Sequence, residues 1–232
     1  ILGIECDGGF AEKVLAPWQA LVPIPKGVGF EDAAAVTLAG STAMHMLTDR
    51  GEVREGDWVL VMAGASGVGS AAIQIARKLG ARVISTGSTL EKRDLAMKLG
   101  AEFVVDTAQA NWTGAVRKHT DKRGVDWVVE HIGGTVLEQV FHCVARGGSV
   151  ITCGATAGRD VSIHLWPFFV KQQRLIGSYG RNRTDLVATL DWVAQGKLKP
   201  VIDRVLPLAE ASAALAVLRN REVLGKVLLS MA

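Results

Sequence analysis

Trp58-Val59-Leu60-Val61-Met62 is an unbroken apolar run, Gly64-Ala65-Ser66-Gly67-Val68-Gly69 follows it, and residues 70–79 then read as a helix that stops at Gly80. A strand that is apolar on both faces is what a helix-covered parallel sheet requires. Strand, glycine turn and helix, in that order, are the context of a dinucleotide-binding turn. Glycine lets the backbone approach a pyrophosphate closely, and the following helix offers unpaired N–H groups and a partial positive charge. Ser66 stands where the motif G-x-G-x-x-G has its middle glycine. The alternative is a tight strand-to-helix turn that holds no ligand.

Working outward, strand-like segments recur as Arg82-Val83-Ile84-Ser85-Thr86, Phe103-Val104-Val105, Val125-Asp126-Trp127-Val128-Val129, Ser149-Val150-Ile151-Thr152 and Leu175-Ile176-Gly177-Ser178. Helical spacing separates them over 90–99 and near 113–119 and 136–144. Repeated βαβ units predict an α/β fold with a doubly wound parallel sheet. Beyond Tyr179 the pattern changes to a helix near 185–194, an extended Lys199-Pro200-Val201-Ile202, a helix near 210–219 and a last strand from Lys226. Upstream, glycine pairs and spaced prolines punctuate residues 1–30, which read as β-rich, and Glu31-Asp32 opens a helical stretch over 31–50.

The end of the second strand bears on the cofactor. A site for NAD usually places Asp or Glu there to bind the ribose hydroxyls. This chain has Ser85-Thr86-Gly87-Ser88, followed by Lys92 and Arg93. A carboxylate would repel a 2′-phosphate, whereas Lys or Arg attracts it. The expected cofactor is therefore NADPH, with Gly64, Ser66, Gly67, Val68, Gly69, Gly87, Ser88, Lys92 and Arg93 as its contacts. For Lys92 and Arg93 the plain alternative is a solvated helix face.

Composition limits the alternatives. The hydrophobic fraction is 49%, the charged fraction 21% and the net charge +3. Such a chain supplies a core easily, and its scattered Lys and Arg form no basic stripe for nucleic acid. No apolar run is long enough to span a membrane. Three cysteines, Cys6, Cys143 and Cys153, lie far apart without metal-ligand spacing. They fit a reduced, cytoplasmic protein. The start, Ile1-Leu2-Gly3-Ile4-Glu5, reads as the middle of a longer chain.

These residues, with several others in order, resemble the medium-chain dehydrogenase/reductase family, in particular its quinone-reductase-like members. Gly8-Gly9-Phe10-Ala11-Glu12 resembles a segment of the family's GroES-like catalytic domain, and Ala39-Gly40-Ser41-Thr42-Ala43 its domain-joining helix. Gly124-Val125-Asp126, Ile132-Gly133-Gly134, Gly147-Gly148, Gly154 and Gly225-Lys226-Val227 also match. The resemblance implies a bilobal protein: 1–37 as the end of the N-terminal catalytic segment, 38–180 as the Rossmann domain and 181–232 as the return to the catalytic domain.

Zinc alcohol dehydrogenases of this family carry a cysteine ligand on the joining helix. Leu38 stands at the matching position and cannot ligate zinc. The resemblance thus implies the zinc-independent branch and hydride transfer to a small electrophilic acceptor, either a quinone or an α,β-unsaturated carbonyl or enoyl compound. Thr42 matches a position beside the nicotinamide, with a back-bonded helix Thr as the alternative. Gly177 and Ser178 would face the nicotinamide, and Lys226 resembles a residue that some relatives direct at the pyrophosphate. Gly154 and Ala155 follow the fifth strand, where ligands of such sheets lie. His131, at another strand end, is a candidate for the cofactor ribose or for an acid; a hydrogen-bonded strand-end His is the plainer reading. Leu165-Trp166-Pro167-Phe168-Phe169-Val170 precedes the edge strand through which relatives form homodimers, or else covers the nicotinamide pocket. The rivals are a zinc-dependent alcohol dehydrogenase and a non-catalytic NADPH-binding module.

Overall fold

In a computed structural model of the chain, which describes residues 3–231, six strands form one parallel sheet. They are β1 (Trp58–Val61), β2 (Arg82–Thr86), β3 (Phe103–Val105), β4 (Val125–Glu130), β5 (Val144–Thr152) and β6 (Arg174–Gly177). Their order is β3-β2-β1-β4-β5-β6. The direction of progression reverses between β1 and β4, so a ligand crevice is expected at the carboxyl ends of these two strands. The helices are α1 (Phe30–His45), α2 (Gly67–Lys78), α3 (Leu90–Lys98), α4 (Trp112–His119), α5 (Gly134–Val140), α6 (Leu165–Val170), α7 (Arg183–Ala194) and α8 (Ala211–Arg219).

Alternation along β1 explains why helices cover both faces. Val59 and Val61 join a core with Met44 and Leu47 and with Ile73 and Ile75 of α2. Trp58, Leu60 and Met62 join the opposite core with Trp112, Val116, Leu137 and Val140. Successive strand residues point to opposite faces, so an all-apolar strand needs a helix layer on each. Leu60, Val61 and Met62 are fully buried, each worth about 1.5–3 kcal/mol of transfer free energy.

Several expectations need correction. The β-rich reading of 1–30 fails among the described residues, which hold only a 3-10 turn at Trp18–Ala20 and a bridge position at Cys6. A strand needs a neighbour for its N–H and C=O groups. Residues 11–29 pair with no strand among the described residues, and Leu15 and Trp18 are 95% and 77% exposed. The helix expected near 136–144 ends at Val140 because Val144 enters β5 opposite Val125. Lys199 is not in a strand: its N–H and C=O bond the Gln74 side chain at 3.0 and 2.9 Å, and β7 (Ile202–Pro207) starts beyond Pro200. Residues 165–170, read only as an apolar stretch, form α6 with Leu165, Trp166 and Phe169 exposed. Ile1, Leu2 and Ala232, at the outer ends of the first and last expected segments, lie outside the described residues.

The last part of the chain returns to the glycine turn. Strand β8 (Lys226–Ser230) pairs in parallel with β7, and Gly225 N–H donates to Ala65 O at 2.7 Å just before it. Gly225 has φ +85°, and a Cβ there would lie 2.2 Å from Val201 O. No helix among the described residues is long and apolar enough to cross a membrane.

Candidate functional site

The turn after β1 is shaped by close approaches that exclude side chains. A Cβ on Gly64 would lie 2.1 Å from Ser85 Oγ, and one on Gly69 would lie 2.2 Å from Ala63 O. One on Gly67 would lie 2.7 Å from Lys226 Cδ and 3.2 Å from Ala39 Cβ. Ala63 itself takes φ +46° and is held there, its N–H bonded to Thr86 Oγ1 at 2.8 Å. Gly64 N–H donates to Thr86 O at 2.9 Å. Helix α2 starts at Gly67 rather than at Ser70, so the last glycines lie in its first turn. Ser66 caps it, its Oγ accepting from Gly69 N–H at 2.9 Å. Gly67 N–H faces Gly225 O across the parallel bridge of Ser66 with Gly225, and Val68 N–H has no acceptor among the described residues. Bare N–H groups at a helix start suit a phosphate. Lys226 packs half-buried against Gly67, and burial lowers its pKa from the usual lysine value.

The residues that end β2 include no carboxylate; the one beside them is Asp106, which follows β3. Gly87 is buried and Ser88 exposed. Arg93 Nη1 donates to Gly87 O at 3.1 Å and pairs with Asp106 Oδ2 at 3.0 Å. Lys92 Nζ donates to Arg221 O at 2.8 Å. Neither cation is simply a solvated side chain of α3, since both are tethered beside the β2 end. Sequence reasoning missed Arg221, which lies 129 residues from Lys92 and carries no local signal.

The ends of the other strands line up on the same edge, with Val61 opposite Val129, Val129 opposite Ile151 and Thr152 opposite Gly177. Glu130 closes β4 with no exposed surface. It accepts from Ile132 N–H at 2.5 Å, Gly133 N–H at 2.7 Å and the Thr152 hydroxyl at 2.8 Å. Sequence reasoning gave this residue no role. Its sole signal was an acid at the end of an apolar strand. His131 Nε2 lies 3.1 Å from Met62 O and 3.3 Å from Ser66 Oγ. Burial lowers its pKa, with the neighbouring Glu130 charge acting in the opposite sense. Gly154 packs under this turn, where a Cβ would lie 2.8 Å from His131 O, and Ala155 beyond it is exposed.

Gly177 O accepts from Arg50 Nε at 3.1 Å, and Ser178 N–H donates to Thr152 O at 2.8 Å. The Ser178 hydroxyl is buried without a partner, a state that a bound polar group would relieve. Thr42 is 9% exposed on α1. Thr37, Ser41 and Thr48 bond back to carbonyls of their own chain segment, at 2.6, 2.5 and 2.8 Å. The Thr42 hydroxyl makes no such bond, so the back-bonded alternative does not describe it. Leu38, one turn earlier, is 56% exposed and brings no metal donor. Among the described residues no group of three or more His, Cys, Asp or Glu is placed to hold a metal ion.

Cys143 and Cys153 are not nucleophiles in this arrangement. Burial pushes the Cys143 thiol up to about 12 and, with the Glu130 charge, the Cys153 thiol up to about 11. The thiolate is the reactive form. At pH 8 a thiol reagent is expected to modify only the exposed Cys6 rapidly, and the other two after unfolding. Fast modification of a second thiol in the native protein would refute this assignment.

Comparison with known proteins agrees with this geometry. The family model described as zinc-binding dehydrogenase matches residues 67–195, more than half of the chain. The chain is 30% identical to a 2-haloacrylate reductase of Burkholderia sp, over 96% of itself and 70% of that protein. It is 30% identical to quinone oxidoreductase-like protein 2 of Bos taurus, covering 69% of it. It also matches phthioceranic/hydroxyphthioceranic acid synthase of Mycobacterium tuberculosis at 31% identity, spanning 11% of that protein. Among solved structures, an NAD-dependent alcohol dehydrogenase superposes with TM-score 0.95 at 41% identity, over 100% of this chain and 68% of that one. A 2-octenoyl-CoA carboxylase reductase, solved with NADP and 2-octenoyl-CoA, superposes with TM-score 0.81 at 29% identity, over 90% of this chain and 51% of that one. The chain therefore belongs to the zinc-binding dehydrogenase family, within the quinone-reductase-like branch of the medium-chain dehydrogenase/reductase superfamily of oxidoreductases.

Proposed function

We propose that this chain binds NADPH along the carboxyl edge of its sheet and serves hydride transfer to a quinone or an α,β-unsaturated carbonyl or enoyl acceptor. The observation that carries the cofactor assignment is the β2 end, where Gly87 and Ser88 replace an acid and the tethered Lys92 and Arg93 stand close by. In this reading Gly64, Ser66, Gly67, Val68, Gly69 and Lys226 hold the pyrophosphate. Gly154, Ala155, Gly177, Ser178 and Thr42 line the path to the nicotinamide. The reduced nicotinamide supplies the hydride, and the protein supplies placement. The buried, unpartnered hydroxyl of Ser178 and the hydroxyl of Thr42 are the groups that would orient the ring or the acceptor. Leu38 favours an acceptor that is electrophilic without zinc. The 2-haloacrylate reductase and the NADP-bound enoyl-thioester enzyme among the relatives support this class. Residues 38–180 form the cofactor unit in this reading. The exposed edge at β6, with Leu165, Trp166 and Phe169, is the surface for a homodimer.

A relative named NAD-dependent makes cofactor choice the point to test. Calorimetric titration is expected to give NADPH at least about tenfold tighter binding than NADH, as one or two charge-assisted hydrogen bonds imply. Lys92→Ala should erase most of that preference while leaving NADH unchanged. A preference for NADH would overturn the role given to Ser88, Lys92 and Arg93. Binding of neither would overturn the dinucleotide site.

A further inference from the structure

Met62 O, Ser66 Oγ and His131 Nε2 meet at the base of the glycine turn although they lie on different segments. Met62 O lies 3.1 Å from His131 Nε2, and a carbonyl oxygen can only accept. The Nε2 position therefore carries the proton. The same N–H lies 3.3 Å from Ser66 Oγ, which already accepts from Gly69 N–H at 2.9 Å. A hydroxyl has two lone pairs and one proton. With both lone pairs facing protein N–H groups, the Ser66 proton is left to point away from the protein donors. It does so at the start of α2, beside the Val68 N–H, which has no acceptor among the described residues.

His131 is in turn held by the residue before it. Glu130 gathers Ile132 N–H, Gly133 N–H and the Thr152 hydroxyl, and so fixes the backbone on either side of the imidazole. Gly133 and Gly134, at φ +75° and +55°, allow the chain to curl around that carboxylate.

We infer that His131 is a positioning residue whose Nε2–H orients the Ser66 hydroxyl as a hydrogen-bond donor to a phosphate oxygen of the bound dinucleotide. This rests on the NADPH reading above. It differs from a role for His131 at the ribose or as an acid: the imidazole never needs to touch the cofactor, and acts by leaving Ser66 only one direction in which to donate.

The test is a double-mutant cycle read by calorimetry on the 232-residue chain, with NADPH and with adenosine 2′-monophosphate, which lacks the pyrophosphate. Ser66→Ala and His131→Leu should each weaken NADPH by about tenfold, the range of a hydrogen bond to a charged group. The double variant should be no weaker than either single one. Adenosine 2′-monophosphate should bind all of them within about twofold of the parent chain. His131→Gln, whose amide N–H can serve the same two acceptors, should restore most of the NADPH affinity. Additive losses, or equal weakening of both ligands by His131→Leu, would overturn the proposal. A second measurement needs no variant. The ¹⁵N spectrum of the His131 ring at neutral pH should show a protonated Nε2 and an unprotonated Nδ1, and the opposite tautomer would refute it. If the parent chain binds adenosine 2′-monophosphate but no dinucleotide, the cofactor reading itself fails. If it binds NADH instead of NADPH, the same cycle run with NADH decides the role of His131.

Discussion

Gly69→Ala is expected to abolish measurable dinucleotide binding and to destabilise the protein by about 3 kcal/mol, the upper range for an overpacked site. The new Cβ would lie 2.2 Å from Ala63 O and 2.9 Å from both Ala63 C and Gly64 Cα. All three are backbone atoms, so no side chain can swing aside. The backbone cannot retreat either. Ala63 and Gly64 are bonded to Thr86, and Ala65 accepts from Gly225 N–H. Any shift must therefore break the links to β2 or to the start of β8, and it moves the first turn of α2 with it. Gly9→Ala, at a position with nothing within 4 Å of the added Cβ, is the control. It should change stability by less than about 0.5 kcal/mol. Urea unfolding gives the stability and calorimetry the binding. Native-like stability and NADPH affinity in Gly69→Ala would show that the turn is softer than its contacts imply.

Glu130→Ala should cost about 3 kcal/mol, since each buried donor left without its partner costs about 1–3 kcal/mol. It strands the N–H groups of Ile132 and Gly133 around the fully buried Glu130 position and leaves the Thr152 hydroxyl only Gly154 O, 3.4 Å away. Unsatisfied buried donors cost the most when only one partner is removed. Glu130→Gln should cost only about 1 kcal/mol. Its carbonyl can keep both backbone donors, and Thr152 can turn its hydroxyl toward Gly154 O, 3.4 Å away, and accept from the new amide. Urea midpoints compare the two. A cost below about 1 kcal/mol for alanine would mean that the turn after β4 is held by other contacts. Equal costs for both variants would mean that the negative charge itself is required.

The fold was legible where the pattern is local. Residues 58–62 announce a strand buried on both faces, and the structure places Val59 and Trp58 in opposite cores. The glycines at 64, 67 and 69 were legible as a turn, and the structure gives each a separate contact that excludes a side chain. The extended reading of residues 1–30 was less successful. Extended composition describes a backbone preference, but a strand exists only once a neighbour pairs with it.

The site was legible to the same depth. The missing acid at Gly87 and Ser88 is visible in the sequence because it concerns which residue type stands at a strand end. The tethering of Lys92 to Arg221 and the contact of His131 with Ser66 are not, since the partners lie 129 and 65 residues apart. Periodicity in the chain determines which side chains are buried, because removing apolar surface from water is the main force that drives folding and acts residue by residue. It does not determine which polar groups meet. That is decided by strand register and by the return of β8 onto the glycine turn, which bring Glu130 level with Thr152 and Gly225 against Ala65. The sequence by itself therefore settled the sheet, its order of elements and the place of the glycine turn, while only the tertiary structure revealed how Glu130 and His131 hold that turn, because a hydrogen bond needs its donor and acceptor within about 3 Å and no local pattern encodes that distance.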